Sequence, residues 1–223
     1  MKSRFVLAFT FIVFTGIARA DDMTDAQAWL NSQPQPIAFN YDTECNPLTE
    51  GSQKFGCRLV QFPQAGLVIC QNTVCNPNIA TEIAALQAIA VADMRIVPFI
   101  DQVYSFQCRG SRSSLCLGYI LRWYGSKEGG FYKPTRSGES PFIIAVKKLA
   151  TPLQGQTCTD IHAIWAHWSK GEAIGDFQGV LEFATGHFFV ADPTGYPVKP
   201  SSSQTKALQR VCNAICGKSN KCN

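Results

Sequence analysis

Apolar positions recur along the chain with two periods, and the switches between them mark out the elements. After Asn76-Pro77-Asn78, residues Ile79, Ile83, Leu86, Ala90, Met94 and Val97 return at helical spacing until Pro98, which predicts a helix capped by Asn78. Over residues 117–133 the period falls to two. Leu117, Tyr119, Leu121 and Trp123 would share one face, with Gly118, Ile120, Arg122 and Tyr124 on the other. A polar run at 125–130 then leads into Phe131-Tyr132-Lys133, a pattern that predicts a hairpin. Residues 179–192 predict a second one, turning at Thr185-Gly186, and the runs 57–62 and 66–70 predict short strands.

Four further helices are expected. Thr24 would cap the first, which carries Trp29 and Leu30 and ends in the proline-rich residues 33–36. Ser140-Pro141 opens residues 142–149, whose β-branched run suits a strand equally well. Thr159 would cap residues 160–169, with Ile161, Ile164, Trp165 and Trp168 on the apolar stripe. The last carries Leu208, Val211 and Ile215 and stops at Gly217; its Cys212 and Cys216, four apart, share a face and would staple the tail to the domain. Helices and hairpins alternate irregularly and no internal repeat is present. The expected fold is therefore α+β, a disulfide-rich globular domain with several helices packed on short antiparallel strands and hairpins.

The N-terminus stands apart. Lys2 and Arg4 precede about 14 uncharged, mostly apolar residues, and Ala18-Arg19-Ala20 supplies small residues where a signal peptidase reads. Residues 1–20 are thus expected to be a cleaved secretory signal peptide, too short to span a bilayer well, and residues 21–223 a single stapled domain, periplasmic or secreted. Removal of Lys2, Arg4 and Arg19 leaves 17 basic against 16 acidic residues, a net charge of +1. Nothing in that balance calls for nucleic acid.

All ten cysteines lie beyond the signal: Cys45, Cys57, Cys70, Cys75, Cys108, Cys116, Cys158, Cys212, Cys216 and Cys222. An even number in an exported chain reads as disulfides, with Cys70/Cys75 and Cys108/Cys116 as candidate local loops and the remaining pairing open. There is no C-x-x-C pair and none of the usual Cys/His zinc spacings, so neither a metal nor a cofactor is expected. His162 and His167 would lie about 140° apart on a helix, too far round to share an ion.

Cys158 begins the helix expected at 160–169, where the positive helix end favours a thiolate, and Gln154 and Gln156 stand just upstream. The stretch Gly186-His187-Phe188-Phe189-Val190-Ala191-Asp192-Pro193 resembles the strand that bears the catalytic histidine in papain-like C39 peptidases. That resemblance implies Cys158 as nucleophile, His187 as its base and Asp192 as the orienting acid. An unbroken strand would instead separate His187 from Asp192 by about 16 Å.

Charge is unevenly spread. Residues 109–148 carry a local charge of +6 and residues 21–50 one of −6. The basic part is interleaved with aromatics, and Arg122, Trp123, Tyr124, Lys127, Phe131, Tyr132, Lys133 and Arg136 form the candidate contact surface for a protein or glycan partner. With no complete catalytic set, the function expected first is a non-enzymatic exported, periplasmic protein that binds a partner in the cell envelope. A Cys/His-dependent hydrolase of peptide or amide bonds is the alternative, and a secreted toxin, effector or inhibitor the third.

Overall fold

The computed structural model describes residues 22–50, 54–111, 113–135, 138–217 and Cys222, with the backbone alone for 45–50. The expected signal peptide and the side chains of Cys45 and Arg136 lie outside the described residues.

Helices and antiparallel sheets mix as an α+β fold, with two cores. The first belongs to a five-stranded sheet of β1 (Cys45–Glu50), β2 (Lys54–Leu59), β3 (Ala65–Cys70), β4 (Tyr104–Gln107) and β5 (Leu115–Arg122), in the order β1-β2-β3-β5-β4. Helices α1 (Asp22–Ser32) and α3 (Asn76–Val91) pack on it, and a single turn, α2 (Tyr41–Glu44), leads into β1. Leu30, Phe55, Leu67, Ile69, Ile79, Phe106 and Tyr119 fill the space between them.

The second core lies under a three-stranded sheet, β6 (Gly129–Tyr132), β8 (Gly179–Glu182) and β9 (Phe188–Val190), in the order β6-β8-β9. Helices α4 (Glu139–Lys147), α5 (Thr151–Trp168) and α6 (Ser202–Cys216) gather around Phe142, Ile161, Trp168, Leu181, Phe188 and Leu208. A small ribbon of β7 (Ala173–Gly175) and β10 (Gly195–Val198) completes this half.

The halves are joined by α3 and by the segment after it. Ile79, Ile83 and Leu86 of α3 enter the first core and Ile89 the second. Next, Val97 N–H donates to Val190 O (2.9 Å) and Val190 N–H to Arg95 O (2.8 Å), while Arg122 N–H donates to Pro98 O (2.6 Å). One short stretch of backbone thus pairs with β9 at its start and β5 at its end.

The second hairpin forms as expected, with Val180 opposite Phe189. The hairpin expected over 117–133 does not: β5 pairs with β3 and β4, and β6 with β8, so its two arms enter different sheets. Central in its sheet, β5 buries both faces, Tyr119 along with Gly118 and Ile120. Gly118 permits this, because a Cβ there would stand 2.7 Å from Val68 O and 2.9 Å from the Phe106 ring.

Helix boundaries also shift. α1 starts before Thr24, and α3 stops at Val91, so Met94 and Val97 enter the second half from the following segment and Ala90 faces outward. Residues 139–147 are helix rather than strand. Helix α5 begins at Thr151, with Pro152 in its first turn, and not at Thr159.

Disulfides join Cys70 to Cys75, Cys108 to Cys116, Cys158 to Cys216 and Cys212 to Cys222. Cys57 is also disulfide-bonded, and no described cysteine is free. The first two close the local loops read from the sequence; the other two fasten α6 to α5 and the tail to α6. No helix among the described residues is long and apolar enough to cross a membrane.

Candidate functional site

The residues singled out from the sequence divide between two places. Cys158 is buried in mid-helix and bonded to Cys216, so in this form it has neither a helix N-terminus beside it nor a thiolate to offer. Gln154 donates to Leu149 O at 2.8 Å, and Gln156 lies 3.4 Å from Asp160 Oδ1.

His187 finds its carboxylate elsewhere in the chain. Its Nδ1 stands 3.0 Å from Oδ2 of Asp160, a buried α5 residue whose same oxygen accepts the Phe188 N–H at 2.9 Å. The other oxygen, Oδ1, takes Arg95 Nε at 3.1 Å. Thr157 Oγ1 donates to Gly186 O (2.6 Å), which fixes the turn before His187 against α5. Asp192, the orienting acid implied by resemblance, belongs to a different cluster.

In the three-stranded sheet, Leu181, Phe188 and Val190 point to the core, so the alternation turns Phe131, Val180 and Phe189 outward. Phe131 sits opposite Val180 and Val180 opposite Phe189, which makes one cross-strand row. Tyr124 extends it, stacked on Phe189 with centroids 6.1 Å apart and planes 24° apart, and the Arg122 guanidinium lies 5.2 Å over Tyr124. On the other side, the His187 ring is 5.8 Å from Phe189. A continuous ridge results, running from Phe131 through Phe189 to a branch at Tyr124–Arg122 and another at His187–Asp160–Arg95. Burial and the Glu182 carboxylate push the Tyr124 phenol up to about 12, so its hydroxyl stays protonated and can donate.

Arg122, Tyr124 and Phe131 of the candidate contact set therefore converge. Lys127 is exposed in the turn where Glu128 accepts the Gly125 N–H at 3.1 Å. Trp123 lies over Gly66 instead, Tyr132 packs on Phe142 at 5.5 Å, and Lys133 stands 4.0 Å from Asp176. An ion pair joins the basic and acidic segments where Arg109 lies 3.5 Å from Asp42, beside an open groove of about 500 Å³ lined by Phe39 and Tyr41. From sequence alone no site role is assigned to Phe189, Asp160 or Arg95. The alternation of β9 could have flagged Phe189; the other two come from distant segments.

A second polar cluster lies at the junction of the halves. Lys54 at the start of β2 bonds both Glu82 of α3 and Asp192, while the Tyr119 hydroxyl reaches Glu82 Oε2 at 3.3 Å. Gln178 Nε2 donates to Asp192 O and Oδ2, each at 2.9 Å. Glu82 is 2 % exposed, and burial, followed by the nearby Asp192 charge, pushes its carboxyl up to about 7.

No known protein family matches this chain, and no curated protein sequence is similar to it.

Proposed function

We propose that this is an exported, non-enzymatic protein that binds a protein or glycan partner outside the cytoplasm through its aromatic ridge. The observation that supports the reading is the outward row Phe131–Val180–Phe189, prolonged by Tyr124 and flanked by Arg122, His187 and Arg95. Flat aromatic faces offer large contact area at low cost in side-chain entropy, and partly exposed guanidinium groups beside them give direction to the contact. The disulfides suit service in an oxidising compartment. The test is capture from envelope extracts: Tyr124→Ala with Phe189→Ala is expected to abolish it, and Arg122→Gln to weaken it. Undiminished capture by the double variant, folded as judged by circular dichroism, sinks the reading.

One observation favours a second reading, a hydrolase: buried Asp160 holds His187 in a fixed orientation at the foot of the ridge. The nucleophile of that reading is Cys158, released from Cys216 by reduction, and it would have to be brought round from the opposite face of α5, about 200° from Asp160. Amide hydrolysis that appears on reduction and vanishes in both Cys158→Ala and His187→Ala would favour it over binding alone.

A further inference from the structure

Two disulfides and one histidine converge between α5, α6 and the tail. Cys158 and His162 are one turn apart on α5, and Cys212 and Cys216 one turn apart on α6, so each pair presents one face. Cys212 Sγ stands 3.9 Å from His162 Nε2, Cys222 Sγ 3.7 Å from His162 Nδ1, and Cys212 Sγ 3.9 Å from Cys216 Sγ, a sulfur to which it is not bonded. His162 with Cys212 and Cys222, and His162 with Cys158 and Cys216, each form a triad of potential ligand atoms within 4.8 Å of one another.

These spacings have a specific meaning. With Zn–S about 2.3 Å and Zn–N about 2.0 Å, tetrahedral ligands stand about 3.8 Å apart sulfur to sulfur and about 3.5 Å sulfur to nitrogen. Two non-bonded edges, Cys212 to His162 Nε2 and Cys212 to Cys216, are close to those lengths already, while Cys222 lies against the other ring nitrogen and must shift toward the shared ion. Among the four ligands only Cys212 and Cys222 are bonded to each other, and they must part from about 2.05 Å to about 3.8 Å, a movement within reach of side-chain rotation. Cys212 and Cys222 are buried, which shields thiolate–metal bonds from water, and thiolate with imidazole is the donor set that soft-to-borderline zinc prefers.

We propose that the reduced chain holds one Zn²⁺ ion at His162, Cys212, Cys216 and Cys222, and that the two disulfides are the oxidised alternative to this site. A dithiol reductant delivers two electrons and two protons to each disulfide and leaves as its own disulfide. Zinc then displaces the protons of three thiols to solvent, and Cys158 remains a thiol beside the site. Helix α5 is thus joined to α6 in either state, through the Cys158–Cys216 bond or through His162 and the metal.

The test is titration of the phosphine-reduced protein with Zn²⁺, and with Co²⁺ as its visible substitute. One equivalent of Co²⁺ is expected to give the intense absorption of tetrahedral thiolate coordination and to be displaced by Zn²⁺. Zinc should slow alkylation of Cys212, Cys216 and Cys222 relative to the metal-free reduced chain and leave the rates at Cys70, Cys75, Cys108 and Cys116 unchanged. Cys158→Ser should keep the spectrum, whereas His162→Ala should lower zinc affinity at least tenfold. A variant with serine at Cys158, Cys212, Cys216 and Cys222, which retains its other cysteines against unspecific uptake, should bind none. Absence of stoichiometric uptake by the reduced chain, protection spread over every cysteine, or full binding by the four-serine variant would each overturn the proposal.

Discussion

Lys54 and Glu82 form an ion pair across the seam between the two cores, and the same ammonium also holds Asp192 beyond β9. Lys54 stands on the five-stranded sheet, Glu82 on the connecting helix and Asp192 in the second half, so three separate parts of the chain meet at one nitrogen. Gln178 fixes Asp192 from behind, and Tyr119 fixes Glu82.

Removing that nitrogen leaves buried Glu82 beside Asp192 with no cation between them. Lys54→Met is expected to cost about 3 kcal/mol, the low end for breaking a buried pair because the lysine is partly exposed. Adding Glu82→Gln to it should recover part of the loss. Urea denaturation of the single and double variants measures both.

The same cluster makes stability depend on pH. Unfolded, the Glu82 carboxyl loses its proton near the ordinary glutamate value; folded, it keeps it up to about 7. Between those values the native state binds the extra proton, so this group's contribution to stability falls as pH rises through the window. Denaturation midpoints followed from acid to neutral pH should decline, and Glu82→Gln should flatten the decline.

Gly186 occupies left-handed backbone, φ 74°, and a Cβ there would lie 2.3 Å from Leu153 O. Gly186→Ala is expected to cost about 1–3 kcal/mol and to push the turn off α5, displacing His187 from Asp160. Thermal unfolding gives the cost, and the His187 ring resonances give the displacement.

The Cys158–Cys216 bond closes a sequence separation of 58 residues. Loop entropy places the loss on replacing both cysteines by alanine at about 4 kcal/mol, against a smaller loss of about 2 kcal/mol for Cys70 and Cys75, separated by 5. Parallel denaturation of the two double variants checks the order.

Much of this architecture was legible in the sequence where contacts are local. The Cys70–Cys75 and Cys108–Cys116 loops, the β8–β9 hairpin and the inward Leu208 and Val211 all follow from neighbours a few residues apart. What failed was partner choice over distance. The period-two run of β5 identifies a strand but not its neighbours, and no local signal says that β6 crosses to β8. Gly155, Thr157 and Thr159 weaken the helical signal over the first half of α5, so its start is better marked by Pro152. Glu82 falls at helical spacing among Ile79, Ile83 and Leu86, so a buried carboxylate could have been read there, though not Lys54 or Asp192 beside it. Of the candidate site, the aromatics of 122–131 were visible, while Asp160 and Arg95 reach His187 only through folding.

The backbone between Arg95 and Ile100 is hydrogen-bonded to β9 at one end and β5 at the other, and Tyr124 and Phe189 sit just beyond those two attachments. The ridge is therefore held at a set spacing by main-chain bonds rather than by its own side chains. Were a partner to bind there as proposed, the main-chain bonds would set the spacing it has to match, and less reorganisation would weigh against its affinity.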